Sequence, residues 1–150
     1  MIGKTINYTD FNGNQATELA YFNLTDLERS RFLLKYGTTD QAFKDHVEKL
    51  QANNDILGFM DLIDDMIRAS YGVKSEDGKR HHKDPAKTED FLHSEAYSVL
   101  FSELVNSPAS FMEFFIGLNS GITSEQKSQI LKEANAEIAK QEKLIAEENN

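Results

Sequence analysis

Two clusters of residues carry types that could do chemistry. The first is His81-His82, with Asp84 just beyond and His93 further along, a set that resembles metal ligands. Adjacent histidines in an extended segment project to opposite sides, and no fixed scaffold holds a third ligand. The reading is a solvated polar loop without a metal. The second cluster is Asp61, Asp64 and Asp65, of which Asp61 and Asp65 stand i, i+4 and share one side of a helix. Paired carboxylates can divide the work of acid and base, but nothing here positions a water or a partner base. They lie opposite the apolar side, so the expectation is a solvated acidic face.

Other chemistries fail on residue type. There are no cysteines, which removes disulfides, thiol nucleophiles and thiolate-bound metals. Neither a Gly-Lys-Ser/Thr phosphate loop nor a Gly-x-Ser-x-Gly elbow occurs. The basic run Lys79-Arg80-His81-His82-Lys83 is short, is flanked by Glu76, Asp77 and Asp84, and has no interleaved aromatics. Phe114-Phe115 reads as core. The sequence therefore points to a non-enzymatic protein without cofactor or metal.

Charge narrows the partners. Lys plus Arg number 16 and Asp plus Glu 25 among 150 residues, a formal net charge of −9. Such a surface repels phosphates and anionic lipid, so neither nucleic acid nor membrane is an expected partner. No apolar run nears the ~18 residues of a membrane span. Met1–Thr5 lacks the apolar core of a signal peptide, and the expectation is a soluble cytoplasmic protein.

The elements that hold these residues are mainly α with an N-terminal β-hairpin, an α+β class. Ile6 and Tyr8 alternate with Thr5, Asn7 and Thr9, Asn12-Gly13-Asn14 supplies a turn, and Thr17 to Phe22 forms the return strand. A lone hairpin is marginal in water, so it must pack on something or join another chain's sheet. Thr25 and Glu28 make a capping box for a helix running to Tyr36 and stopping at Gly37. Thr38 and Gln41 repeat the spacing ahead of the stripe Phe43, Val47, Leu50. A third helix, Asp55 to Ser70, carries Ile56, Phe59, Met60, Ile63, Met66 and Ile67 on one face, widened by Leu57 and Leu62, with Gly72 closing it. Lys74 to Lys83 is expected as a mobile polar loop.

Asp84-Pro85 then opens a helix through Leu92, Ala96, Val99, Leu100 and Leu104, and Ser107-Pro108 opens a short, densely apolar one. Beyond Gly121, the capping box Thr123–Gln126 begins a polar helix to about Glu147. Its stripe is Leu131, Ala134, Ile138 and Ile145, with Gln141 breaking the spacing. The division expected is a hairpin-plus-helical domain over 1–118 and an extended C-terminal helical appendage over 119–150.

Three stretches carry a resemblance. Lys4 to Asn14 followed by Tyr21-Phe22-Asn23-Leu24-Thr25, the segment Ser70 to Arg80, and Phe91, Ser94 to Tyr97, Phe101 to Leu104 and Phe111 to Leu118 occur in shared order. Together they resemble the tail assembly chaperones of long-tailed, siphovirus-like phages of Gram-positive bacteria. Two departures stand out: His81 and His82 occupy positions where the family carries an apolar residue, and the helix beyond Gly121 extends past the point where members often end.

The resemblance implies a chaperone that coats the tape-measure protein in the host cell cytoplasm and helps recruit tail-tube subunits. It would then leave before the virion matures, and a frameshifted longer form is frequent in such proteins. Docking of apolar tape-measure helices would use an apolar groove. The candidates are Phe59, Ile63 and Ile67 on the third helix and Leu131, Ala134, Ile138 and Ile145 on the last, with the hairpin edge available for self-association or tube pairing. Two alternatives remain: a structural virion component such as a head–tail connector or minor tail protein, and a phage protein binding a host defence target.

Overall fold

A computed structural model describes residues 1–37, 39–119 and 124–148, with the side chains of Ser124, Lys127, Ala134 and Gln141 outside the described set. It is 63% helical, and the hairpin stands where the sequence puts it. Strands β1 (Ile2–Thr9) and β2 (Gln15–Phe22) pair antiparallel in unbroken register, from Ile2 opposite Phe22 to Thr9 opposite Gln15. The turn is built by Asp10, whose carboxylate accepts the backbone N–H of Asn12 and of Asn14, both at 2.9 Å. Gly13 sits at φ 82°, which glycine adopts without a Cβ penalty. Alternation then sorts the side chains. Ile6, Ala20 and Phe22 face the core, while Thr5, Asn7, Thr17 and Leu19 face outward.

The sheet is larger than a hairpin. β3 (Tyr71–Lys74) pairs with β2, and β4 (His81–His82) pairs with β3, giving the order β1-β2-β3-β4. This corrects two expectations. Gly72 does not close a helix but lies within β3, where an added Cβ would come 2.7 Å from the His81 ring and from the His82 carbonyl oxygen. The Lys74–Lys83 segment is a hairpin, its turn tied by Ser75 N–H to the Arg80 carbonyl at 2.9 Å and by Ser75 Oγ to Asp77 at 2.6 Å.

Local capping starts the helices. α1 (Asp26–Leu34) opens on the expected box, Glu28 N–H donating to Thr25 Oγ1 at 3.3 Å and Thr25 N–H to Glu28 Oε1 at 3.0 Å. It ends two residues before Tyr36. α2 (Asp40–Ala52) is capped by Thr39, which accepts the Ala42 N–H, and it buries Phe43, Val47 and Leu50 as the stripe predicts. Thr38, expected as that cap, lies outside the described residues. α3 (Ile56–Ser70) is capped by Asp55 and runs directly into β3.

The single helix expected after Pro85 is two. α4 (Pro85–Leu92) begins at the Asp84 cap, and α5 (Glu95–Asn106) restarts at Ser94. Ser94 Oγ donates to the Phe91 carbonyl at 2.6 Å and accepts the Tyr97 N–H at 3.4 Å, so one residue ends a helix and begins the next. α6 (Pro108–Gly117) starts at Ser107 as expected, and α7 (Ser124–Glu148) follows; the capping box at Thr123 lies outside the described residues.

Aromatic rings fill the space between sheet and helices. Phe22 meets Tyr71, Phe91 and Phe114 edge-on at centroid distances of 5.8, 5.9 and 5.1 Å, and Tyr71 stacks on Phe91 at 4.6 Å. A second group joins Phe32, Tyr36 and Phe43, with Phe115 stacked on Phe43 at 4.6 Å. Leu100 and Leu104 of α5, with Leu62, Ile63, Met66 and Ile67 of α3, complete one continuous core.

Candidate protein-binding surfaces

The carboxylates of α3 are structural acceptors. Asp65 takes the Tyr36 hydroxyl at 2.6 Å, tying α3 to the end of α1. Asp64 takes the Tyr97 hydroxyl from α5 and the Arg68 Nε at 2.7 Å, and Arg68 continues to Glu89 at 2.8 Å. Burial and the adjoining carboxylates hold both phenols well above their ordinary value, so each remains a donor. The face is therefore not simply solvated, as the pattern suggests. Two of its three aspartates anchor neighbouring segments.

The histidine cluster is divided by the strand it occupies. His81 turns inward with Nε2 3.2 Å from the Tyr21 carbonyl, and burial pushes its pKa down. His82 projects the other way and is exposed, and His93 stands on the surface beyond α4. The inward turn of His81 replaces the solvated loop expected there. Lys83, the end of the basic run, also points inward. Its ammonium donates to the Asn23 carbonyl at 2.6 Å, the Ala69 carbonyl at 2.9 Å and Glu28 Oε2 at 3.0 Å, clamping β2, α3 and α1 together. Phe114 is fully buried, as expected of core.

Of the residues predicted to bind a partner, the structure separates two groups. Ile63 and Ile67 are completely buried, and Phe59 is half-buried with its ring 5.1 Å from Phe111. That face of α3 is covered by the protein's own α2 and α5, so Ile63 and Ile67 supply core. The exposed apolar residues of α3 lie instead at its start, Ile56 and Leu57. Between α3 and α5 runs a shallow groove of about 380 Å³, lined by Met60, Asp61, Asp64, Tyr97 and Phe101 among others.

The α7 group differs. Leu131 and Ile138 are half-buried, and α7 packs on α6 while Glu137 reaches Lys44 of α2 at 2.8 Å. Further along, Leu144 and Ile145 are each 59% exposed. Leu131, Ile138 and Ile145 recur every seven residues, so one seam begins against the body and ends bare. Ala134 is on the same seam, its side chain outside the described set.

Two surfaces escaped the sequence reading. Phe11 is 77% exposed at the tip of the β1–β2 turn, and Leu19 is exposed on the outer face of β2.

No helix among the described residues is long and apolar enough to cross a membrane. No curated protein and no solved structure matches the chain. A family model described as phage tail assembly chaperone matches residues 1–148. The match takes in α7, so the helix expected past the family's usual end lies inside it. The match runs over nearly the whole length of this sheet-and-helix body, so the chain belongs to the phage tail assembly chaperones.

Proposed function

We propose that this chaperone binds the tape-measure protein of its phage and helps bring tail-tube subunits to it, inside the host cell and without entering the mature virion. The observation that carries the reading is the α7 seam, half-covered at Leu131 and Ile138 and bare at Leu144 and Ile145. A tape-measure helix with an apolar stripe would extend that seam by helix-on-helix packing, burying on both partners what water otherwise touches. In this reading residues 1–118 are the body and 119–150 the docking arm. The formal charge of −9 keeps many copies on one long partner soluble through mutual repulsion.

The test is co-expression with the tape-measure protein, tagging only this chain. The expected result is a soluble tape measure carrying several copies, lost in an Ile138→Asp/Ile145→Asp variant that still folds. A tape measure that stays insoluble beside the folded wild-type chain overturns the proposal, as does abundant chaperone in purified virions.

A further inference from the structure

We infer that β1 is a dimerisation strand: two copies of this chain pair through their β1 edges, antiparallel about a two-fold axis, and join their sheets into one. The inference is independent of what α7 binds.

The phase of the hairpin fixes which groups are offered. Asp10 N–H donates to the Asn14 carbonyl at 2.8 Å, so these residues form a hydrogen-bonded pair. Such pairs alternate along an antiparallel ladder, so Tyr8, Ile6, Lys4 and Ile2 also bond to β2. The backbone N–H and C=O of Gly3, Thr5, Asn7 and Thr9 consequently point away from the sheet. On the opposite side of β2, Asn23 N–H donates to the Ser70 carbonyl at 2.9 Å, which confirms that phase. Among the described residues nothing pairs with the outward groups of β1, which is an end strand.

Edge strands normally carry devices against such pairing: a proline, a bulge or an outward charge. β1 has no proline, and its register with β2 is continuous. Its one charged residue, Lys4, turns inward to Glu103 on α5 at 3.0 Å. The other end of the sheet, β4, is only two residues long.

Charge selects a second copy as the occupant. The chain is strongly acidic, yet β1 contains no Asp or Glu, and the only acid of β2, Glu18, lies on the inner face. The outer face of the hairpin is formed by Gly3, Thr5, Asn7, Thr17, Leu19 and Tyr21, all uncharged. Here two copies can approach without acid facing acid. Pairing centred on Ile6 sets Thr5 opposite the partner's Asn7 and Gly3 opposite the partner's Thr9. That register uses all four outward positions on each strand and keeps both inner faces on one side.

The experiment is sedimentation velocity of the full chain over a concentration series, beside Thr5→Pro. The substitution removes an outward N–H at an edge position, where proline is compatible with a strand, and circular dichroism checks its fold. The expected result is a wild-type dimer whose dissociation constant rises at least ~10-fold in Thr5→Pro. Hydrogen exchange adds a signature: the amides of Thr5, Asn7 and Thr9 are slow in the dimer and fast on dilution, whereas Ile6 and Tyr8 are slow in both. A second variant, Asn7→Lys, places an outward charge in the same edge without proline. A wild-type chain that stays monomeric to ~100 µM overturns the inference. So does a dimer that both variants leave intact.

Discussion

α3 and α7 are both amphipathic helices, and their fates differ. α3 is sealed on its apolar side, with Leu62, Ile63, Met66 and Ile67 almost wholly excluded from water between α2 and α5. α7 touches the body through α6 and the Lys44–Glu137 pair and then carries Leu144 and Ile145 into solvent. Periodicity shows that a helix has an apolar side; it does not show what covers that side. What separates the two is the width of the stripe. α3 has apolar residues over a broad sector that several elements must bury together, while α7 has a seam one residue wide that a single helix can match.

The sharpest way to break the comparison is to set a change in the sealed core that α3 helps to form beside one on the bare end of α7. Phe22→Ala leaves a void among Tyr71, Phe91 and Phe114, and the expected loss is about 3–5 kcal/mol, enough to unfold much of the protein. Ile145→Asp should change stability by no more than ~0.5 kcal/mol, since the side chain is mostly in water already. Urea melts of the two variants measure the contrast. A large destabilisation from Ile145→Asp would mean that α7 is core.

Next in size is the clamp at Lys83. Replacing it with Met removes the donor shared by the Asn23 and Ala69 carbonyls and leaves the Glu28 carboxylate without its ion pair. The expected cost is about 1–3 kcal/mol, discounted for the partial exposure of the pair. A Glu28→Gln/Lys83→Met double variant should recover part of it, because no unpaired charge remains. Equal losses in the single and double variants would show that the carbonyl contacts dominate.

The same contrast marks what the sequence made legible. Signals confined to a few neighbouring residues were readable: the Thr25–Glu28 box, Asp84-Pro85, Ser107-Pro108 and the Asn12-Gly13-Asn14 turn each start or stop an element where expected. β3 and β4 were not, because four residues and two residues give no period and their pairing depends on β2, far away in sequence. The break at Ser94 was hidden by an apolar pattern that continues across it. The Asp64–Tyr97 and Asp65–Tyr36 contacts were hidden by distance along the chain, and a carboxylate waiting for a phenol reads in sequence like one facing water. The cover over Ile63 and Ile67 was hidden in the same way, because periodicity does not show that α2 and α5 lie against them.

A smaller effect concerns acid. Tyr21, Gly72, Lys83 and Glu28 surround His81, and burial holds its imidazole below the ordinary value of 6.5. The unfolded chain therefore takes up the proton first. The stability due to neutral His81 is fully present above pH ~6.5 and is lost as pH falls through the folded value. Thermal melts between pH 7.5 and 5.5 should show Tm falling in the wild type and a flatter profile in His81→Gln. Parallel profiles would remove His81 as the source.

The smallest effect separates the inner from the outer face of the hairpin. Glu18 lies on the inner face of β2, and burial followed by repulsion from Asp90 raises its pKa. A carboxyl raised in the folded state stabilises while protonated, and that contribution is lost as pH rises through the folded value. At neutral pH the charged side chain is therefore a burden. Glu18→Gln keeps the shape, removes the charge and should raise Tm by about 1–2 °C at pH 7. The gain should shrink at pH 4, where the wild-type carboxyl is itself protonated. Thr17→Gln, one residue away on the outer face, should do neither, because its side chain already stands in water. A pH-independent gain in Glu18→Gln would place its origin in packing, and the inner face would then be ordinary core with no electrostatic cost to relieve.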